Sequence, residues 1–319
     1  MKKVLKVIGK VLLILLAVLI LFLLILFIYH RIMINKEKSL RKPIGQLVEV
    51  DGHKMSIYAE GDGKHTLVFM AGSGVPSPIL EYKSLYSLLS DDYKVVVIEK
   101  FGYGFSDFIN DDRSFETILR QDREALEKAG INGPFILCPH SMSGLEAILW
   151  AQRYPNEVEA LIGLDMSVPS IYKKEEQSDF KDDLIGGILS TARKLGLARL
   201  LFRDSDLPNS LTENEKDIYK AILNVNYANR NMIDEGKHVV DASDIINSNP
   251  KPNIPTLMFI SDGSETGGEE WIKAQKAYAS DVKGARTIDL DCGHMINRFK
   301  QDQISKDMKE FIKDLDQKN

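Results

Sequence analysis

The sequence predicts an α/β fold: a mostly parallel, doubly wound sheet with an antiparallel hairpin near its start and a helical insertion late in the chain. Three observations predict it. Short apolar runs typical of buried strands alternate with helix-like stretches from residue 66 onward. Alternating apolar and polar residues flank Asp51-Gly52, a pair typical of tight hairpin turns. Residues 166–254 interrupt this alternation with helical patterns and no clear strand.

The individual elements follow from the same patterns. The hairpin strands are predicted over 47–50 and 55–58. Ser114 is expected to cap a helix that ends near Ala129, because serine accepts hydrogen bonds from free amides at a helix start. Further buried strands are predicted over residues 66–70, 93–98, 135–138, 160–165, 256–260 and 286–290, with helical stretches in the insertion over 182–203 and 213–236.

The first 30 residues differ from the rest of the chain. Val11 to Ile28 form an unbroken apolar run, preceded by four lysines. At about 1.5 Å per residue, this run spans most of a bilayer core of roughly 30 Å. A cleaved signal peptide is the alternative, but its apolar region is normally shorter and ends in small residues. We therefore predict a single-pass transmembrane anchor over residues 1–30.

The remaining chain is divided into a juxtamembrane linker over residues 31–45 and one globular domain over 46–319. Basic residues lie on both sides of the apolar run, so the positive-inside rule is nearly balanced. We expect a cytoplasmic N-terminus and an extracytoplasmic globular domain. The net charge is −5 and the basic residues are scattered, which does not indicate nucleic-acid binding.

The segment around Ser141 carries the main chemical signal. The apolar run 135–138 predicts a buried strand, and helical spacing follows Gly144, so Ser141 is expected in a tight strand-to-helix turn. Such a turn exposes the serine hydroxyl beside the free amides at the start of the helix. Pro139 and Ser143 stand where the G-x-S-x-G pattern has glycines.

Three further motifs accompany the turn at 139–144: Gly-Ser-Gly at 72–74, the run at 102–107 and Cys-Gly-His at 292–294. With these motifs the chain resembles the α/β-hydrolase superfamily over about residues 46–315. It implies the α/β-hydrolase fold, with residues 166–254 as a helical cap over the site. It also implies a serine, an acid and a histidine that act together in acyl transfer.

In this pattern Ser141 has the position of the nucleophile and His294 that of the base that removes its proton. The side chain of His140, which directly precedes Ser141, is expected to point away from the hydroxyl. The resemblance leaves the acid open. Asp165, after the sixth strand, is the first candidate, and Glu265 and Asp262, after the seventh, are the alternatives.

The same resemblance implies an oxyanion hole made of two backbone N–H groups, from Met142 and from Ser73 in the turn after the third strand. The sequence has no metal-ligand spacing and no dinucleotide fingerprint, so we expect no metal and no cofactor. Cys138 and Cys292 are predicted to be free, mostly buried thiols, since two strands should separate them.

The predicted function is therefore that of a membrane-anchored serine hydrolase. Its expected substrate is a small or lipid-derived ester, with a thioester or amide as alternatives. Two other hypotheses remain open at this point. One is a ligand-binding receptor on a hydrolase scaffold with little or no turnover, and the other is a surface protein for adhesion or assembly.

Overall fold

A computed structural model describes residues 2–173 and 179–317 of the chain. Three predicted segments contain residues outside that range: residue 1 of the anchor, residues 174–178 of the insertion, and residues 318–319 of the globular domain. The strands are β1 (Gln46–Val50), β2 (His53–Glu60), β3 (Thr66–Met70), β4 (Lys94–Glu99), β5 (Phe135–Pro139), β6 (Val158–Leu164), β7 (Thr256–Ile260) and β8 (Arg286–Asp289).

Thirteen α-helices accompany these strands in the described residues. They are α1 (Lys2–Lys36), α2 (Pro78–Glu81), α3 (Lys83–Tyr86), α4 (Phe115–Lys128), α5 (Ser143–Arg153), α6 (Asp179–Leu195), α7 (Ala198–Leu201), α8 (Glu213–Asn226), α9 (Arg230–Lys237), α10 (Val239–Asn247), α11 (Glu269–Ser280), α12 (Ile296–Phe299) and α13 (Gln301–Asp316).

One sheet holds all eight strands, in the order β1-β2-β4-β3-β5-β6-β7-β8. β2 runs antiparallel to β1 and β4, and every other neighbouring pair is parallel. The predicted hairpin and the mostly parallel sheet are both confirmed. The order of the strands brings the carboxyl ends of β3, β5, β6 and β7 to one edge of the sheet, which is where ligands bind in such folds.

Helices cover both faces of the sheet because alternate strand residues point to opposite sides. On β3, Val68 and Met70 join a core with α4, α5 and α10, whereas Leu67 and Phe69 join a core with α3 and α13. Ser114 caps α4 as expected, since its hydroxyl accepts a hydrogen bond from the Thr117 amide.

The insertion is helical, as predicted, but its helices are divided differently. The expected helix over 213–236 breaks into α8 and α9, because Ala228 has φ +48° and the Asn229 side chain caps α9. Helix α10 was not predicted. A small apolar core of the cap packs Leu80 of α2 against residues of α7 and α8.

Two further predictions concern the first helix and the cysteines. α1 continues to Lys36, six residues beyond the predicted end of the anchor, and a 3-10 turn over Glu37–Ser39 follows. No proline or glycine stands between His30 and Pro43 to end the helix earlier. Within the described residues, α1 is the one helix long and apolar enough to cross a membrane. Cys138 and Cys292 are free, the first buried and the second half-buried.

Candidate active site

The turn between β5 and α5 holds Ser141 in a strained backbone conformation. Its φ is +55°, in the left-handed region that residues with a side chain rarely adopt. A Cβ added to Gly72 would lie 2.5 Å from the Ser141 Cβ, so the loop after β3 contacts the serine closely. A Cβ added to Gly144 would lie 2.2 Å from the Ser167 carbonyl oxygen. Gly72 and Gly144 therefore leave room for close backbone packing around Ser141 that a larger side chain would prevent.

Ser143 takes a place where the usual pattern has glycine, and its hydroxyl is accommodated by hydrogen bonds. The Ser143 Oγ lies 2.8 Å from the Met70 carbonyl oxygen and 2.9 Å from the His140 carbonyl oxygen. The hydroxyl therefore ties the turn to the end of β3. This departure from the pattern leaves the strand-to-helix geometry intact.

His294 lies in the loop after β8 and meets Asp165, which directly follows β6. The His294 Nδ1 donates to Asp165 Oδ2 at 2.5 Å. Asp165 Oδ1 accepts three further hydrogen bonds, from the Ser261 amide at 3.0 Å, from Trp271 Nε1 at 3.0 Å and from Gln275 Nε2 at 2.9 Å. The carboxylate is thus saturated with donors and holds the imidazole in one orientation.

The electrostatics of Asp165 agree with an ionised carboxylate. Its side chain is fully buried, and burial alone would raise its pKa. The hydrogen bonds from His294, Gln275 and the Ser261 amide outweigh that effect and lower the pKa to about 2. Asp165 is therefore negatively charged at neutral pH.

The two alternative acids take other positions. Glu265 Oε2 accepts a hydrogen bond from the backbone N–H of His294 at 2.8 Å, so Glu265 supports the loop. Asp262 Oδ1 accepts hydrogen bonds from the amide and the hydroxyl of Ser264. Of the three carboxylates, Asp165 is the one that the structure brings to the imidazole of His294.

Two backbone amides are available near Ser141. Met142 follows the serine and precedes the first turn of α5, and Ser73 belongs to the turn after β3. Neither N–H donates to a protein acceptor in the part of the chain that the structure describes. Free amides at a helix start are suited to bind a negatively charged oxygen.

His140 was expected to point away from the serine hydroxyl, and its contact with His294 was not foreseen. The two ring centroids lie 4.6 Å apart, and the His140 Nε2 donates to the His294 carbonyl oxygen at 3.1 Å. Burial, and secondarily the neighbouring His294, lower the pKa of His140 to about 4, so its ring is neutral at pH 7. His140 thus supports the loop that carries His294.

Sequence reasoning also missed Trp271 and Gln275. They stand four residues apart on α11, so both reach the same oxygen of Asp165 from one face of the helix. The four-residue spacing could be recognised on the predicted helix, but the sequence did not show that both side chains contact Asp165. Among the described residues, no cluster of histidine, cysteine, aspartate or glutamate could hold a metal ion.

Two cavities meet at the turn after β3. The first, of about 290 Å³, is lined by Ser141, His294 and His140. The second, of about 450 Å³, lies under the cap, and its lining is mainly aliphatic. Ser73, Gly74 and Tyr227 line both. The apolar members of the second lining with aliphatic or thioether side chains are Ile171, Ile185, Leu189, Ala228, Met232, Ile233, Val239 and Val240.

Comparisons with known proteins agree with the fold described above. A family model described as the alpha/beta hydrolase fold matches residues 71–300. An uncharacterised Bacillus subtilis (strain 168) protein, YbdG, is 36% identical over 297 residues, which cover 90% of this chain and 91% of that protein.

Two solved structures are similar in fold. A candidate lipase, lip1, from Acinetobacter baumannii AYE has a TM-score of 0.66 at 17% identity, with 91% of this chain and 97% of that one covered. The enol-lactonase from Burkholderia xenovorans LB400 has a TM-score of 0.61 at 18% identity, with 84% and 100% covered. At such identities the similarity concerns the fold alone.

Proposed function

We propose that this chain, which belongs to the α/β-hydrolase family, is a membrane-anchored serine hydrolase that cleaves an ester through an acyl-enzyme. The family and the fold support hydrolysis of a small molecule. The observation that carries the finer proposal is the contact between Asp165 and His294 at the edge of the cavity that Ser141 lines. A serine, a base and an oriented acid at one cavity are the parts that acyl transfer requires.

In the proposed mechanism, Ser141 Oγ attacks the ester carbonyl carbon while His294 Nε2 takes the hydroxyl proton. The carbonyl oxygen becomes negatively charged and is stabilised by the N–H groups of Ser73 and Met142. When the carbon–oxygen bond of the ester breaks, His294 returns the proton to the leaving alcohol. Water then attacks the acyl-serine, again with His294 as base, and releases the acid and free Ser141.

The substrate class is inferred from the second cavity. Its aliphatic lining favours an apolar chain, and the residues it shares with the first cavity would place the end of that chain near Ser141. The similarity in fold to a lactonase and a candidate lipase is compatible with ester cleavage. We therefore infer an ester with an aliphatic chain; a thioester or an amide would follow the same chemistry.

Membrane attachment is part of the proposal. The aliphatic side chains of α1 are exposed along most of its length, which is costly in water and favourable in lipid. We propose residues 1–30 as the anchor, residues 31–45 as the junction and residues 46–319 as the hydrolase domain, with 166–254 as its cap. The hydrolase domain is assigned to the extracytoplasmic side.

A fluorophosphonate probe tests the nucleophile. Wild-type protein should be labelled covalently, and Ser141→Ala should not, because the probe bonds to an activated serine oxygen. Ser73→Ala, which keeps the backbone amide, is the matched control and should still be labelled. Failure to label folded wild-type protein would contradict the proposal. Tight ligand binding without labelling would then favour the receptor alternative.

A further inference from the structure

The cap carries a surface of exposed aliphatic side chains, which we call the cap face. Leu201 is 69% exposed and Ile188 is 59% exposed. Contiguous aliphatic patches are rare on freely soluble proteins and usually mark a contact with a partner or a membrane. The cap face consists of residues from α6 and α7, namely Leu184, Ile185, Ile188, Leu189, Leu200 and Leu201.

The cap face is held next to the end of α1 by a partly buried junction. Arg199 of α7 donates from both terminal nitrogens to the Glu37 carboxylate, at 2.7 and 2.6 Å, and from Nε to His30 Nδ1 at 3.0 Å. Gly196, between α6 and α7, packs so closely that an added Cβ would lie 2.6 Å from the His30 Cβ. The cap therefore sits at a defined position relative to α1.

This junction fixes the position of the cap face along the axis of α1. Leu200 lines one crevice together with Leu26 and Tyr29 of α1. Leu26 belongs to the apolar run of α1, and Tyr29 directly follows that run. Leu200 of α7 therefore lies beside the last apolar turns of α1, and Leu201 follows it in the chain. A membrane crossed by α1 would reach them.

We propose that the cap face docks onto the lipid bilayer that α1 crosses and inserts its aliphatic side chains among the lipid chains. The charge at the junction fits this partner, because Arg31, Lys36, Lys38 and Lys42 are exposed just beyond the apolar run. Basic residues at this level attract anionic headgroups. The inference rests on the proposed membrane anchoring, but docking itself does not require hydrolysis.

Docking also gives the substrate a route. Ile185 and Leu189 belong to the cap face and also line the 450 Å³ cavity. That cavity meets the Ser141 cavity at Ser73 and Gly74. A lipid chain can thus pass from the bilayer to the site without crossing water. The substrate class that follows is a long-chain ester dissolved in the membrane.

Lipid contact is tested on the full-length chain in vesicles of phosphatidylcholine and phosphatidylglycerol. An environment-sensitive fluorophore is attached at Ile188→Cys, and spin-labelled lipids serve as quenchers. We expect quenching about threefold or more above that at Glu127→Cys, an exposed position on α4 outside the cap. Wild-type protein treated with the same label corrects for the native thiols.

Equal quenching at the two positions would overturn the proposal. So would disulfide-linked dimers of Ile188→Cys without lipid quenching, because a second copy of the chain would then cover the cap face. These readouts do not depend on catalysis, so they decide docking even if the proposed function is wrong.

The route is tested by activity. The triple variant Leu184→Gln, Ile188→Gln, Leu201→Gln changes the cap face and alters no residue that lines the two site cavities. Hydrolysis of a hexadecanoate ester in vesicles should fall about tenfold, whereas hydrolysis of a dissolved butanoate ester should stay unchanged. The matched control, Glu127→Gln, Lys306→Gln, Glu310→Gln, should change neither rate.

Equal losses on both esters, or no loss on either, would overturn entry from the bilayer. If wild-type protein hydrolyses no ester, the proposed function fails, and the quenching experiment decides docking alone.

Discussion

Two of the groups of buried charges among the described residues differ in their access to a cavity. In the first, Asp165 is fully buried, but its partner His294 is 18% exposed and lines the cavity of Ser141. In the second, Lys100, Glu146 and Glu235 are each at most 2% exposed. We call the second group the Lys100 cluster.

The Lys100 cluster joins the cap to the sheet. Lys100 follows β4, and its ammonium binds the carboxylate of Glu235 on α9. Glu146 of α5 lies 3.6 Å from the same ammonium, and the Tyr103 hydroxyl donates to Glu235 Oε2 at 2.8 Å. A buried pair of this kind is held in place because separating either charge would leave the other unpaired in a medium of low polarity.

Asp122 of α4 is buried beside this cluster. Burial, and secondarily the neighbouring Glu146, raise the pKa of Asp122 well above its usual range, which favours the protonated form of this carboxyl. Burial also raises the pKa of Glu146, against the opposing effect of Lys100.

The comparison teaches that buried charge alone does not mark a reactive site. A closed cluster holds elements together, whereas an acid–histidine pair with one member facing a cavity can exchange a proton with a ligand.

The largest expected effect concerns the pair of Asp165 and His294, which faces the cavity of Ser141. Asp165→Asn should lower kcat/KM for a butanoate ester by about 10⁴-fold, because the amide no longer holds His294 in the tautomer that accepts the serine proton. Steady-state hydrolysis by detergent-solubilised protein measures it.

Glu265→Gln, at the backbone amide of the same histidine, is the matched control and should lose no more than about tenfold. Asp262→Asn should have a similarly small effect. A loss at Glu265→Gln as large as that at Asp165→Asn would show that the acid was assigned to the wrong carboxylate.

Substitutions in the Lys100 cluster should instead lower the stability of the fold. Lys100→Met leaves two carboxylates without their cation, and we expect it to lower the free energy of unfolding by about 3–5 kcal/mol. Lys216→Met breaks the exposed pair with Glu213 and should lower it by less than about 1 kcal/mol. Denaturant unfolding of both variants compares them. Similar losses would indicate that the buried cluster contributes no more than a surface pair.

Glu99 extends the comparison to a buried acid that forms no ion pair with the residues that the structure describes. Burial raises its pKa from 4.5 to about 7, although the Phe105 amide donates to it at 2.8 Å. A raised pKa means that the fold binds the protonated form better. The stabilisation is complete below pH 4.5 and is lost as the pH rises through about 7, for a total of about 3 kcal/mol.

Glu99→Gln should flatten this part of the profile of unfolding free energy against pH. An unchanged slope between pH 5 and 7 in that variant would assign the dependence to another group.

The smallest expected effect concerns the geometry around Ser141. Gly72→Ala introduces a Cβ 2.5 Å from the Ser141 Cβ, and displacement of the serine should lower kcat/KM about 10²-fold. Gly74→Ala is the matched control, because nothing lies within 4 Å of its added Cβ. Its φ of +76° should cost about 1 kcal/mol of stability with little effect on the rate. Equal rate losses would refute the steric explanation.

Much of this arrangement was predictable from local patterns. The apolar run before Ser141 and the helical spacing after it identified the strand-to-helix turn, and the hairpin followed from Asp51-Gly52. Such features depend on residues within a few positions of each other, so their periodicity and turn chemistry suffice. The Asn229 cap was readable in the same way, but the break between α8 and α9 was missed because the apolar pattern continues across it.

The contacts within the site were harder to predict. His140 meets His294 across 154 residues of chain, and Trp271 reaches Asp165 across 106. No local pattern encodes either contact. Both depend on the order of the strands, which brings the loops after β5, β6 and β8 to the same edge.

By itself, the sequence determined the strands, most helices, the turn at Ser141 and the three carboxylates considered as partners of His294. Only the tertiary structure shows which of those carboxylates contacts the His294 imidazole, because the hydrogen bond from His294 to Asp165 joins residues 129 positions apart. It also decided that the exposed aliphatic residues of the cap lie beside α1. The physical reason is the same in both cases. Local propensity acts over a few residues, whereas a charge or an apolar surface finds its partner only when the packed sheet has brought distant segments together.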